Sequence, residues 1–302
     1  MKAVSRFASK ILMIKPAKFY HNEEAATDNK FMFKDTNTNN FDSEYTSFKQ
    51  TVESYGIEIT QLHNPDEKAP DACFVCDWIS FLGPPEYKEK IMVLYPVKHP
   101  SRQRERRPEF IERFRQEFPV VIDLTYFEAP EHGKLALEGP GCLTFDDLSS
   151  NILMCTSERA SERVLHELVS RLNHYREIPW NPVTFRAFDK TNFPIFHTGL
   201  FIGLTPTMAV VNLESITDIS DKNKVQDALR HYRIWDLSYE DMVKYAGNFK
   251  TLYSPKLKTE VIFMSEQAKN LLNLDREIVY VDIPTIERVG GGSISCMMST
   301  RP

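Results

Sequence analysis

Short apolar runs alternate with amphipathic stretches along the whole chain. Ten runs of five to eleven residues are rich in β-branched and aromatic side chains, which predicts strands. These runs are residues 11–16, 71–81, 91–96, 120–126, 151–156, 183–189, 199–204, 208–213, 260–264 and 277–283. Six further stretches place apolar residues at helical spacing. They are residues 43–55, 107–118, 161–173, 222–233, 238–247 and 265–272.

Two details support these helices. In residues 43–55, apolar side chains fall on one face, as expected for a helix that packs against a sheet. These side chains are Tyr45, Phe48, Val52 and Tyr55. Ser161 stands directly before residues 162–173, where its hydroxyl could accept from a backbone N–H of the first turn.

Strand pairs and helices recur about five times, at roughly 50–60 residues per unit. No linker rich in Gly, Ser or Pro divides the chain. The pattern therefore favours one α/β domain, residues 1–302, built from a repeated supersecondary unit. A doubly wound dinucleotide-binding sheet is disfavoured, because no G-x-G-x-x-G follows the first strand.

Charge and hydropathy exclude several partners. The formal net charge is -5, so we expect neither nucleic acid nor a membrane surface as partner. The basic cluster at residues 101–110 has acids nearby and is interpreted as a solvated helix start. No apolar run approaches the roughly 20 residues of a transmembrane helix. The basic stretch at residues 1–16 lacks a secretory apolar region, so we interpret it as leading into the first buried strand, ended by Pro16.

The chain has five scattered cysteines, an odd number. This favours reduced thiols in a cytoplasmic protein over a disulfide framework. Cys73 and Cys76 form a C-x-x-C, but no second pair completes a zinc site, so this pair is predicted to be part of a strand.

The glycine-rich stretch VGGGSISC (289–296) allows three interpretations. A phosphate-binding loop is disfavoured, because the stretch has no lysine and no helix follows it. Glycines and small serines around Cys296 would leave room for a substrate beside a nucleophilic thiol. The alternative is a buried cysteine that acts as a small apolar residue. The stretch by itself leaves the last two open.

Two other side chains could assist such a thiol. Glu138 ends an apolar stretch and precedes a Gly-Pro-Gly turn, where it could orient an imidazole or bind a cation. His197 lies between apolar runs that predict burial. Each has a simpler interpretation: Glu138 could be an acid in a surface turn, and His197 could be a histidine of the core. Together with Cys296 they form a candidate triad, which is recognised by roles and not by chain order.

Three motifs in this order resemble a known superfamily. They are LEGPG (137–141), FHTG (196–199) and GGGSISCM (290–297). The chain is similar to the guanidine-modifying enzymes, or penteins, which include arginine deiminases, dimethylarginine hydrolases, agmatine deiminases and amidinotransferases. The greatest likeness is to a bacterial amidinotransferase-like branch known as citrulline-utilization hydrolases. Further stretches extend the resemblance over nearly the whole chain: residues 11–29, 70–81, 95–107, 245–252 and 283–293.

The resemblance implies a five-bladed α/β propeller with pseudo-fivefold symmetry. It also implies a cysteine hydrolase of C–N bonds in a small guanidino or ureido substrate, without metal or cofactor. Cys296 matches the nucleophile, His197 the general acid/base and Glu138 the acid beside it. Asp77 matches the aspartate with which deiminases hold two guanidinium nitrogens.

The chain departs from the pattern in three places. Gly199 stands where many deiminases have aspartate and the citrulline branch has asparagine. Ser295 stands where that branch often has arginine. Cys76-Asp77-Trp78 replaces Asn-Asn-Trp. A carboxylate accepts hydrogen bonds from a guanidinium, whereas an asparagine amide can donate to a urea oxygen, so Asp77 favours a guanidine.

Other choices stay open at this level. Arg102, Arg104 and Arg159 are candidates to bind a substrate carboxylate, and each could instead form a surface ion pair. An amidinotransferase shares the first half-reaction with a hydrolase. Gly199 and Ser295 also leave room for a catalytically silent relative that binds a ligand or a protein. The sequence is compatible with a homo-oligomer.

Overall fold

The strands in the part of the chain that the structure describes form five sheets of three strands each. The structure, a computed structural model, describes residues 6–35 and 37–302; the first five residues of the basic N-terminal stretch lie outside the described residues. In chain order the strands are β1 Lys10–Pro16, β2 Glu58–Asn64, β3 Ile79–Leu82, β4 Ile91–Leu94, β5 Val120–Asp123, β6 Leu143–Asp146, β7 Asn151–Cys155, β8 Asn181–Phe185, β9 Ile202–Leu204, β10 Met208–Val211, β11 Arg233–Asp236, β12 Lys250–Ser254, β13 Thr259–Ser265, β14 Glu277–Val281 and β15 Ser299–Arg301.

Helices of varied length connect these strands. They are α1 Phe41–Ser54, α2 Pro100–Gln103, α3 Pro108–Arg115, α4 Gly139–Cys142, α5 Glu162–Asn173, α6 Ile219–Ala228, α7 Tyr239–Met242 and α8 Pro284–Gly290. Short 3₁₀ turns lie at Ala25–Thr27, Val75–Asp77, Thr125–Glu128, Pro130–His132, Thr198–Leu200, Glu266–Ala268 and Ile294–Met297. Among the described residues, no helix has the length and apolarity needed to cross a bilayer.

All five sheets share one strand pattern. The middle strand pairs antiparallel with one neighbour and parallel with the other. The sheets are β15-β1-β2, β3-β4-β5, β6-β7-β8, β9-β10-β11 and β12-β13-β14. Each parallel pair needs a crossover, which α1, α3, α5 and α6 supply in four of the five sheets. The middle strands are buried on both faces, as expected for strands covered on two sides.

The two ends of the chain meet in one sheet. β15 runs antiparallel to β1, with Ile11 opposite Thr300, while β1 runs parallel to β2, with Lys10 opposite Glu58. The last strand therefore completes the sheet that the first strand begins. This arrangement closes a ring of five blades, the α/β propeller that the resemblance implies.

Two predicted helices are mostly wrong. The stretch 238–247 is helical only in α7, because Tyr245 adopts a positive φ of 61°. The stretch 265–272 contains only the 3₁₀ turn Glu266–Ala268, and Asn270, with a φ of 64°, prevents a longer helix. The buried face of α1 is confirmed at Tyr45, Phe48 and Val52. These three side chains are among the most buried of the helix.

Several predicted strands begin or end at other residues. Residues 71–81 are a strand only from Ile79, so Cys76 lies in a 3₁₀ turn and not in a strand. Glu138 follows no strand, since Leu137 makes only an isolated bridge to Ala160. Ser161 occupies the N-cap position of α5 but its side chain accepts no capping hydrogen bond. The apolar pattern also did not predict β2, β6, β11, β12, β15 or α8, which are short or only partly buried.

Candidate active site

The predicted catalytic and substrate-binding side chains lie at equivalent places in four blades. Each stands just before the first strand of its blade: Asp77 before β3, Glu138 before β6, His197 before β9 and Cys296 before β15. Pseudo-fivefold symmetry carries equivalent positions to one end of the ring. Residues that are far apart in the sequence therefore meet in a single buried cluster.

Glu138 and His197 form the centre of this cluster. Nε2 of His197 lies 2.7 Å from Oε2 of Glu138, and both side chains are buried. Oε1 of Glu138 accepts from the backbone N–H of Lys98 at 3.1 Å, and Oε2 also accepts from Nη1 of Arg159 at 3.3 Å. Burial by itself would raise the pKa of Glu138, because it disfavours the charged carboxylate. Arg159 and His197 have the larger, opposite effect, so the pKa of Glu138 is lowered. Glu138 is thus an ionised group that fixes the orientation of the imidazole.

The same surroundings favour a protonated histidine. Burial lowers the pKa of His197, but Cys142 and the carboxylates of Asp77 and Glu138 have the larger, opposite effect. The pKa of His197 is therefore raised well above its ordinary value. A protonated imidazole can donate a proton to a leaving group, as general acid catalysis requires.

Asp77 lies beside this pair. Carboxylate oxygens of Asp77 and Glu138 and a ring nitrogen of His197 all lie within 4.8 Å of one another. A Cβ atom on Gly141 would overlap Oδ1 of Asp77 and would lie 3.0 Å from Nδ1 of His197. Any residue other than glycine at this position would therefore displace one of these two side chains. Two carboxylates at this spacing could hold a metal ion or a planar guanidinium.

The thiol of Cys296 is buried among polar groups that favour its ionisation. A hydrogen bond from Cys76 is the main cause that lowers the pKa of Cys296 to about 7. His197 acts in the same direction, whereas burial and Asp77 oppose it. Nδ2 of Asn248 lies 3.4 Å from the sulfur. A thiol with a pKa near 7 is about half thiolate at neutral pH, and the thiolate is the nucleophilic form.

The three candidate arginines have different surroundings. Nη1 of Arg102 donates to Oδ2 of Asp77 at 3.0 Å, and Arg102 is buried. Arg159 is also buried and pairs with Glu138. Arg104, by contrast, forms an exposed ion pair with Asp66. The structure therefore places two of the three guanidinium groups beside the buried cluster and one at the surface.

A segment near the N-terminus covers Arg159. Asp28, at the end of the turn Ala25–Thr27, accepts from Nε of Arg159 at 3.1 Å and from Nζ of Lys98 at 2.7 Å. Hydrogen bonds from His99 and Arg159 lower the pKa of Asp28 despite its partial burial. Sequence reasoning assigned no role to Asp28 or Asn248. Both lie in stretches that carry the family resemblance, which is the only signal that could have found them.

Two cavities lie near the cluster, and neither is lined by Asp77, Glu138, His197 or Cys296. The first has a volume of about 480 Å³ and is mainly apolar, and its walls include Phe31, Phe196 and Tyr245. The ring of Phe196 lies 4.6 Å from that of His197, centroid to centroid. The second cavity has a volume of about 420 Å³, and Gly199 and Ser295 both line it. Both volumes are those of small-molecule sites.

Known structures share this fold. An arginine dihydrolase of cyanobacteria, ArgZ, superimposes with a TM-score of 0.74 at 17% identity, over 97% of this chain and 41% of that one. The chain therefore spans less than half of the length of that relative. The N-terminal domain of ArgZ, solved with bound substrate, gives a TM-score of 0.73 at 16% identity, over 97% of this chain and 98% of the domain.

A dimethylarginine dimethylaminohydrolase, solved as an adduct with 4-chloro-2-hydroxymethylpyridine, has a TM-score of 0.65 at 15% identity over 97% of this chain and 99% of that one. No curated protein matches the chain significantly. The sequence profile of a family described as N,N dimethylarginine dimethylhydrolase, eukaryotic, matches residues 15–301. The chain thus belongs to the N,N-dimethylarginine dimethylhydrolase family, within the pentein superfamily of guanidine-modifying enzymes.

Proposed function

We propose that residues 1–302 form a single catalytic domain that hydrolyses a C–N bond of a guanidino compound of the arginine class, with Cys296 as nucleophile. The observation that carries the proposal is the Glu138–His197 hydrogen bond beside a thiol whose pKa is lowered to about 7. The family match and the dihydrolase and dimethylaminohydrolase structures support a guanidino substrate. Asp77 supports it as well, because a carboxylate accepts hydrogen bonds from a guanidinium.

The first half-reaction displaces one nitrogen. The Cys296 thiolate attacks the central carbon of the guanidinium and forms a C–S bond. In the resulting tetrahedral adduct all three C–N bonds are single bonds, so one of them can break. Protonated His197 donates its proton to that nitrogen, which leaves as ammonia or an alkylamine. A covalent thiouronium on Cys296 is left, and His197 is neutral. Asp77 and Glu138 hold the cation in place and offset its charge.

Water completes the second half-reaction. Neutral His197 takes a proton from water as the oxygen attacks the thiouronium carbon. The tetrahedral adduct then expels the sulfur as the Cys296 thiolate, and the proton left on the oxygen passes to solvent, where the released amine takes one up. The thiolate of Cys296 and the protonated His197 are both restored. The organic product is a urea. His197 gives the proton to the leaving nitrogen and takes the proton from the attacking water, which explains why the charged Glu138 is needed beside it.

The test is release of amine from defined substrates. Arginine, N-methylated arginines, agmatine and citrulline are incubated with the purified protein, with and without glycine, and ammonia, methylamine and dimethylamine are quantified. We expect one guanidino substrate to turn over without glycine. Turnover only with glycine would replace the hydrolase by an amidinotransferase, and no turnover of any substrate would support a silent relative.

The nucleophile is tested separately. We expect a haloacetamidine to label Cys296 faster than the other four cysteines, as mapped by mass spectrometry, and Cys296→Ser to abolish turnover. Cys155→Ser is the matched control, because Cys155 is also a buried thiol, and it donates to the backbone oxygen of Ile195 at 3.3 Å. Full turnover by Cys296→Ser would overturn the assignment.

A further inference from the structure

The fifth blade also presents a polar side chain at the position that carries a predicted site residue in each of the other four. Asn248 stands just before β12, the first strand of its blade, as Cys296 stands before β15 and His197 before β9. Asn248 is 1% exposed. The symmetry of the ring thus brings a fifth side chain into the cluster, and it is an amide that does not titrate.

The orientation of the Asn248 amide is fixed by two backbone groups. Its Nδ2 donates to the carbonyl oxygen of Gly199 at 2.7 Å, and its Oδ1 accepts from the N–H of Ser295 at 3.1 Å. The second hydrogen of Nδ2 is directed at Sγ of Cys296, at a distance of 3.4 Å. If the nitrogen and the oxygen of the amide were exchanged, Oδ1 would face the carbonyl oxygen of Gly199 and Nδ2 would face the N–H of Ser295. Both contacts would then be unfavourable, so the orientation of the amide is determined.

These contacts join the two halves of the proposed chemistry. Ser295 is the chain neighbour of Cys296, and Gly199 follows His197 by two residues. One amide therefore holds the segment with the sulfur at a fixed distance from the segment with the imidazole. It also serves both states of the sulfur: the thiol can donate to Oδ1, 3.8 Å away, and the thiolate accepts from Nδ2.

We propose that Asn248 is a positioning residue, which donates its amide N–H to the Cys296 thiolate and fixes the nucleophile against the segment that carries His197. This inference rests on the proposed function, in which Cys296 is the nucleophile. Hydrogen bonds to a charged sulfur favour the ionised form, so Asn248 keeps the thiol reactive at neutral pH.

Other charged or titratable groups face the sulfur and have to be held constant in any test. They are Cys76 and Asp77 from the segment before β3, His197 from the segment before β9, and Tyr245 and Lys250 from the fifth blade. Substitutions of Asn248 leave all five in place. A change in the ionisation of Cys296 in such variants therefore reports on the amide.

The experiment measures the ionisation of Cys296 directly. The rate at which iodoacetamide alkylates Cys296 is followed from pH 5 to pH 10 by peptide mass spectrometry in the wild type, Asn248→Ala and Asn248→Asp. Loss of a hydrogen bond to a charged group is worth about one to two pKa units. We expect the alkylation midpoint of Asn248→Ala to rise by that amount, and its rate at pH 6 to fall about 10- to 100-fold.

Asn248→Asp tests whether residue 248 faces the sulfur. An aspartate keeps the oxygen that accepts from Ser295 but replaces the donor with negative charge. Our proposal predicts a larger rise in the midpoint than in Asn248→Ala. The added charge acts on any sulfur at this distance, so Asn248→Ala, which adds no charge, decides whether the native amide N–H favours the thiolate. If Asn248→Ala does not fold, Asn248→Asp and Asn248→Ser carry the comparison.

Asn212→Ala is the matched control. Asn212 is fully buried in the fourth blade and also joins two backbone groups, donating to the oxygen of Leu237 at 2.6 Å and accepting from the N–H of Ser215 at 3.0 Å. We expect it to lower the melting temperature without moving the alkylation midpoint of Cys296. Unchanged midpoints in all Asn248 variants would overturn the inference. Because alkylation does not need turnover, this result is distinct from failure of the proposed function, which the amine-release assay and the Cys296→Ser activity decide.

Discussion

Glu138→Gln tests how far one carboxylate sets the chemistry of the site. Glutamine has nearly the same shape and retains an acceptor for the N–H of Lys98, but it loses the negative charge that His197 and Arg159 share. A hydrogen bond to a charged group contributes about 1.5–3 kcal/mol. Since one pKa unit corresponds to about 1.36 kcal/mol, we expect the pKa of His197 to fall by about one to two units.

The activity and the stability should change by different amounts. General acid–base catalysis contributes about 10²- to 10⁴-fold, so we expect turnover to fall within that range. Removing one member of a buried ion pair costs about 3–5 kcal/mol. Because Arg159 keeps Asp28 as a partner in Glu138→Gln, we expect the free energy of unfolding to fall by an amount near the lower end of that range. The folded-state pKa of Glu138 is lowered, so its contribution to stability is present at pH 7 and is lost only as the pH falls below its unfolded value of about 4.3.

Three measurements decide the outcome. Amine release gives the turnover, denaturant unfolding gives the stability, and NMR titration of labelled histidine gives the pKa of His197. Glu128→Gln is the control, since Glu128 also pairs with an arginine, Arg106, and accepts from a backbone N–H, that of Val97, but does not touch His197. An unchanged pKa of His197 in Glu138→Gln, or equal losses of turnover in both variants, would refute this reasoning.

Three further outcomes follow from the geometry. The ratio kcat/KM should rise through a pH of about 7 as Cys296 ionises and fall at higher pH as His197 loses its proton; a profile flat from pH 6 to 8 contradicts this. Gly141→Ala should lower turnover by about 10²-fold or more, because its Cβ would displace Asp77 or His197, and wild-type activity in a folded variant would show that the site tolerates the shift. Arg104→Ala should change the free energy of unfolding by less than about 0.5 kcal/mol and leave KM unchanged, because its ion pair is exposed; a raised KM would return Arg104 to the substrate-binding candidates.

The hydrophobic pattern of the sequence predicted strands well where both faces of the strand are buried. The middle strands β4, β7 and β10 are continuous apolar runs in the sequence because both of their faces are covered. The same pattern failed to predict the length of a helix where an unusual backbone conformation ends it. Tyr245 and Asn270 adopt positive φ angles that shorten two predicted helices. Asparagine is enriched at such angles, but tyrosine gives no such signal in a sequence.

The chain by itself determined the chemical types of the site: the motifs point to a thiol, an imidazole and two carboxylates, at Cys296, His197, Glu138 and Asp77. Only the tertiary structure decided which groups surround them. Cys76, predicted in a strand, lies in a turn against the sulfur, and Asn248, assigned no role, donates to it. The physical reason is that a pKa depends on burial and on neighbours within a few ångströms, and here these neighbours come from different blades of a closed ring.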